Sequence, residues 1–148
     1  IYDAFLSQSH GKNTFFHGHT YTGNQLVCSV ALENINLFKK KHLIGHIQKT
    51  SQTLKQRLEA LQPHKNIGDI RGRGLMYGVE LVENKSTQTP LDIPTVELII
   101  RRCKENGLMI RNLENVITFV PILSMSNKEI KKMVKIFNKA LHQTLGKK

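Results

Sequence analysis

The sequence has no apolar run approaching the roughly eighteen residues needed to cross a bilayer, and no charged-then-apolar leader ahead of Ile1-Tyr2-Asp3-Ala4-Phe5. A cytoplasmic chain with no membrane partner is the expectation. Cysteine is scarce, with Cys28 and Cys103 far apart in apolar helical patterns, which excludes a disulfide framework and predicts two core thiols. There is no Gly-Lys-Ser/Thr, no G-x-G-x-x-G, no repeat and no recognisable nucleophile elbow or triad. Acids are few, with 11 Asp+Glu against 22 Lys+Arg and a formal charge of +11. The bases nevertheless fall in separate clusters, Lys39 to Lys41, Arg71 and Arg73, Arg101 and Arg102, Lys128 to Lys139, and the Lys147-Lys148 tail. Without one stripe interleaved with exposed aromatics, a nucleic-acid-binding module is the lesser alternative, and no nucleic-acid partner is expected.

What is present is periodic. From Asn24, Leu26, Val27, Val30, Ala31, Ile35 and Phe38 predict an amphipathic helix entered through Gly23-Asn24. A second helix carries Leu43, Ile47, Leu54, Leu58 and Leu61 on one face and stops at Pro63. The glycines of the segment 67–81, with Leu75, Tyr77, Val79 and Leu81 at period two, predict two short strands around a bend. After a polar loop from Glu83 to Pro90, Val96, Ile99, Ile100 and Cys103 make a helix closed by Asn106-Gly107. Met109 to Arg111 and Val116 to Val120 read as strands joined by Leu113 to Asn115. Ser126-Asn127-Lys128-Glu129 is a capping box opening a last helix through Leu145. With 39% hydrophobic residues in 148, this order fits an α+β layer in which helices cover a small, mostly antiparallel sheet.

The richest stretch is Thr14-Phe15-Phe16-His17-Gly18-His19-Thr20-Tyr21-Thr22-Gly23-Asn24. Gly18 and Gly23 let backbone N–H groups approach a ligand, Thr20 and Thr22 offer hydroxyls, and a helix starts just after, so the candidate guest is phosphate. An ordinary structural turn explains the same residues. His10, His17 and His19 could ligate a metal, but no Asp, Glu or Cys lies nearby at ligand spacing, and no metal is expected. Arg111, at a strand end, could offer a bidentate fork to a carboxylate or be a plain surface arginine. Arg71 and Arg73 are expected to project into solvent without a role.

Taken together, Phe16-His17-Gly18-His19-Thr20-Tyr21-Thr22-Gly23-Asn24, then the segment from Gly68 to Leu81, then Gly107-Leu108-Met109-Ile110-Arg111, resemble the C-terminal part of class III pyridoxal-phosphate-dependent aminotransferases. Within them the sequence looks most like the 7,8-diaminononanoate synthases of biotin biosynthesis. The resemblance implies a fold-type I C-terminal part: residues 1–23 ending the large cofactor domain, 24–62 forming interdomain helices with a long one first, and 63–148 a small α+β domain. It implies that His19 and Thr20 bind the phosphate of pyridoxal 5'-phosphate across a homodimer interface, that Gly18 lines the substrate space, and that Arg111 binds the keto acid's carboxylate. The acceptor would be 7-keto-8-aminopelargonate and the donor lysine or S-adenosylmethionine, with another class III substrate, a diamine or ω-amino acid, as the alternative. His19 stands where many members have proline and Thr118 where adenosylmethionine users often have tyrosine, which tilts the donor slightly toward lysine. No lysine here matches the family's Schiff-base motif, so a fragment inactive alone, with no catalytic residue of its own, is expected.

Overall fold

The structure is a computed structural model that describes residues 1–6, 13, 15 and 17–146. His10, Thr14, Phe16 and the Lys147-Lys148 tail lie outside the described residues. Two compact units, Ile1–Leu37 and Phe38–Lys148, are each considered by themselves.

The first unit holds a short 3-10 turn, Tyr2–Phe5, and most of helix α1, Gln25–Lys40. Asn24 opens α1, as its side-chain Oδ1 accepts from the Val27 N–H at 3.0 Å and its carbonyl accepts from the Cys28 N–H at 2.9 Å. No residue of α1 is buried, and Cys28 is exposed, which corrects the expectation of two core thiols. The physical reason is the distribution of its apolar side chains. Leu26, Val30 and Leu37 line one side and Val27, Ala31 and Ile35 another, a pattern normally enclosed by protein on several sides, and this chain does not enclose it.

The second unit contains α2 (Leu43–Glu59), β1 (Ile67–Arg73), β2 (Met76–Asn84), β3 (Thr89–Pro90), α3 (Ile93–Glu105), β4 (Arg111–Leu113), β5 (Val116–Phe119) and α4 (Asn127–Leu145). The sheet runs β1-β2-β5-β4, all antiparallel, with β3 paired to β2. Tyr77, Val79 and Leu81 of β2 and Ile117 and Phe119 of β5 alternate inward, as period two requires. They meet Leu54 and Leu58 of α2, Val96, Ile99 and Cys103 of α3, and Ile130, Val134, Phe137 and Leu141 of α4 in one core. Cys103 is fully buried, as expected, and burial pushes its thiol pKa up to about 11, so it is an inert apolar filler.

Local sequence explains the element ends. Gly74, at φ 61°, takes the first position of the two-residue β1–β2 hairpin loop. Gly72 is a glycine for lack of space: a Cβ there would sit 2.2 Å from the Met76 carbonyl oxygen and 2.5 Å from the Tyr77 ring. Gly72→Ala is expected to cost about 1–3 kcal/mol, read as a lower denaturation midpoint. At the end of α3, the Leu108 N–H bonds the Cys103 carbonyl and the Gly107 N–H that of Lys104, a Schellman closure with Gly107 at φ 85°. Asp92 caps the start of α3 through the Thr95 N–H at 2.9 Å, and Ser126 and Glu129 form the expected capping box on α4. Hydrogen bonds from the side chains and backbone of Thr95 and Ser126 hold the Asp92 and Glu129 carboxyls below their usual pKa. Their contribution to stability is therefore present above the unfolded pKa and is lost as pH falls through the folded one.

Three expectations need correction. Strand β4 starts at Arg111 and not at Met109, and the turn is Glu114-Asn115, with Glu114 at φ 51°. Buried Asn115 sets this register: its Nδ2 donates to the Leu81 carbonyl at 2.8 Å, and its own carbonyl accepts the Leu81 N–H at 2.9 Å. Within the expected loop from Glu83 to Pro90, the Asn84 side chain accepts from the Ser86 and Thr87 N–H groups and folds the chain back into β3. Arg71 does not simply project into solvent. It pairs with Asp69 at 3.0 Å on its own strand and with Glu80 across the hairpin.

Candidate functional site

In the first unit, Thr20-Tyr21-Thr22-Gly23 form a turn directly ahead of α1. The Thr22 N–H points to the His19 carbonyl at 3.4 Å, the Asn24 N–H bonds the Tyr21 carbonyl at 3.1 Å, and Gly23 has φ 76°. Gly18, His19 and Thr20 are all exposed, and among the described residues nothing lies within 4 Å of where a Cβ on Gly18 would be. Among the described residues no hydrogen bond engages the Thr20 hydroxyl. The His17 and His19 rings meet edge to face at 4.8 Å, and Phe15 stacks on His17 at 5.2 Å. The imidazoles thus form a small aromatic cluster, and among the described residues no group of three potential metal ligands converges. An unengaged hydroxyl on a glycine-flanked turn, at the positive end of a sixteen-residue helix, is a donor set suited to an anion.

In the second unit, Arg111 stands at the lip of a cavity of about 500 Å³. Its walls are mostly apolar, with Met109, Phe119, Ile122, Met125 and Met133 among them beside Thr118, and among the described residues Arg111 is its one charged lining residue. The Schellman turn at Gly107 aims the 108–110 segment along one wall. On the other side, the His46 Nε2 on α2 donates to the Met125 carbonyl at 3.0 Å and anchors the loop ahead of α4. Phe119 meets Phe137 of α4 edge to face at 5.2 Å and closes the floor.

Arg111 belongs to a row across the outer face of the sheet, since Arg71 pairs in register with Gly78, Gly78 with Thr118, and Thr118 with Arg111. The two arginines in this row differ electrostatically. Arg71 is neutralised by two carboxylates, and its hydrogen bonds to Glu80 and then Asp69 push its pKa further up. Arg111 is exposed, and among the described residues no carboxylate lies within ion-pair distance of it. Residue chemistry leaves Arg111 between a carboxylate fork and a plain surface arginine until the family resemblance decides, and the cavity is not legible in sequence because Phe119 of β5, Met125 of the loop before α4 and Met133 of α4 lie apart along the chain. Thr20 and Arg111 fall in different units.

The aminotransferase class-III family matches residues 1–141. The chain belongs to this family. It is 69% identical over its full length to the adenosylmethionine-8-amino-7-oxononanoate aminotransferase of Staphylococcus aureus, of which it covers 33%. Among solved structures, the enzyme of that name from Methanocaldococcus jannaschii superposes with a TM-score of 0.80 at 36% identity, over 97% of this chain and 33% of the other. A thermostable ω-transaminase mutant from Pseudomonas jessenii gives 0.81 at 29% identity, over 90% of this chain and 31% of the other. The chain spans about a third of the length of the relatives it matches, and these figures lend no support to the C-terminal placement expected from the motifs. Class III aminotransferases use pyridoxal phosphate. Among the described residues the Thr20 hydroxyl is uncommitted and nothing fills the space over Gly18, so the turn would suit the phosphate end of that group. Among the described residues, no helix is long and apolar enough to cross a membrane.

Proposed function

We propose that this chain is part of an aminotransferase that delivers an amino group to 7-keto-8-aminopelargonate, giving 7,8-diaminopelargonate in biotin biosynthesis. The observation that carries this reading is Arg111: an uncommitted guanidinium lining a mostly apolar cavity suits a substrate with a carboxylate at the end of an aliphatic chain. A diamine substrate would leave that guanidinium without an anionic partner. A short ω-amino acid would satisfy it and leave much of the cavity unfilled.

Bound pyridoxal phosphate supplies the electron sink and the temporary amine carrier. This chain's residues bind and orient. The Thr20 hydroxyl and the adjoining backbone N–H groups, with His19 through its backbone, hold the phosphate of the cofactor in a neighbouring subunit of a homodimer. Gly18 leaves room for substrate, and Arg111 fixes the keto acid by its carboxylate. The stretch alone is inactive, because no lysine in it matches the motif that anchors the cofactor. Thr118 points to lysine as amino donor, whereas the name of the 69% identical relative favours adenosylmethionine, and we adopt the latter.

The test is amino transfer to 7-keto-8-aminopelargonate by the full-length enzyme, with adenosylmethionine, lysine and a plain diamine offered in turn. Turnover of ω-amino acids with none of the keto acid would sink the reading. Thr20→Val removes one charge-assisted hydrogen bond, about 1.5–3 kcal/mol, and is expected to weaken cofactor affinity roughly ten- to a hundredfold in a spectroscopic titration. Unchanged affinity would count against the phosphate role.

A further inference from the structure

We propose that Thr118 is a positioning residue for Arg111 and acts on the arginine's backbone, an inference that rests on the carboxylate-binding role of Arg111. Arg111 is the first residue of β4, a three-residue strand at the edge of the sheet. Met109, two residues earlier, belongs to no strand and is 89% exposed. A strand this short, paired on one side only, gives its first residue little support of its own. The direction of the guanidinium depends on how firmly that residue is held.

Thr118 supplies the hold. It stands directly opposite Arg111 in the β4–β5 register, and its Oγ1 donates to the Arg111 carbonyl oxygen at 3.1 Å. Fixing that carbonyl fixes the peptide plane leaving Arg111, and with it the direction in which the side chain departs from the strand. The hydroxyl has a rigid carrier, because β5 is paired on both sides, to β2 and to β4. Thr118 is also β-branched, so its χ1 is stiff. On its far side the row continues to Gly78. The contact is to the main chain, so it adds no charge to the site.

Valine keeps the shape of threonine and loses the donor, whereas serine keeps the donor and loses the methyl group. The experiment compares wild type, Thr118→Val, Thr118→Ser and Arg111→Ala in the full-length holoenzyme. Its readouts are calorimetric binding of nonanoate, a nine-carbon carboxylate probe, and the separate KM values for keto acid and amino donor. Thr118→Val is expected to weaken nonanoate and raise the keto-acid KM by about three- to tenfold. Thr118→Ser should restore both to within about twofold of wild type, and Arg111→Ala should lose more than either. Nonanoate binding equal to wild type in Thr118→Val, alongside its loss in Arg111→Ala, overturns the positioning role and leaves the Arg111 reading intact. Equal weakening in the valine and serine variants also overturns it, since that marks a packing effect. Undiminished binding in Arg111→Ala sinks the Arg111 reading and this inference with it.

Discussion

Arg111→Ala in the full-length enzyme is expected to lower kcat/KM for the keto acid roughly 30- to 150-fold, about 2–3 kcal/mol, while kcat/KM for the amino donor changes far less. The asymmetry follows from the electrostatics of the sheet face. Arg71, in the same row, already has two carboxylates and cannot substitute, and among the described residues lining the cavity Arg111 is the one cation. Arg111→Lys should recover only part of the loss, because an ammonium cannot reproduce a two-pronged fork. The measurement is steady-state kinetics with each substrate varied against a saturating partner. A matching fall for both substrates would mean that the arginine supports the fold or the cofactor and not the carboxylate.

Phe137→Ala should be the most damaging single change to the second unit, with a loss of about 3–5 kcal/mol in denaturant unfolding. Phe137 is completely buried on α4, between the sheet and the other helices, and its ring meets Phe119 edge to face. Removing it leaves a void under β5, the strand that carries Thr118 and the cavity floor. Phe137→Leu should recover much of the stability, since it refills most of the volume. A loss below about 1 kcal/mol for the alanine variant would show that the core collapses around the gap.

The parts of the fold that could be read from sequence are those where a short local pattern has one physical solution. Ser126 with Glu129, Gly107 after Cys103, and the alternation Tyr77, Val79, Leu81 each specify a cap, a stop and an inward face without reference to distant residues. Errors came where the deciding partner lies far along the chain. The position of β4 depends on Asn115 gripping Leu81, 34 residues away, and the tethering of Arg71 depends on Glu80 coming back across a hairpin. Cys28 is exposed against expectation because periodicity reports that a face is apolar and not whether this chain covers it. At the site, the chemistry of Thr20 and Arg111 left bland readings open, and the family resemblance singled them out. The cavity that gives Arg111 a ligand shape could not be seen until the fold had gathered its walls.

The closure of α3 at Gly107 has a bearing on which changes this region can absorb. Gly107 is a fixed stop and Arg111 the first paired position of the sheet, with Leu108, Met109 and Ile110 between them. Because neighbouring strand residues face opposite ways, one residue gained or lost in that spacer would turn the guanidinium from the outer surface toward the oily interior. Its length is thereby pinned.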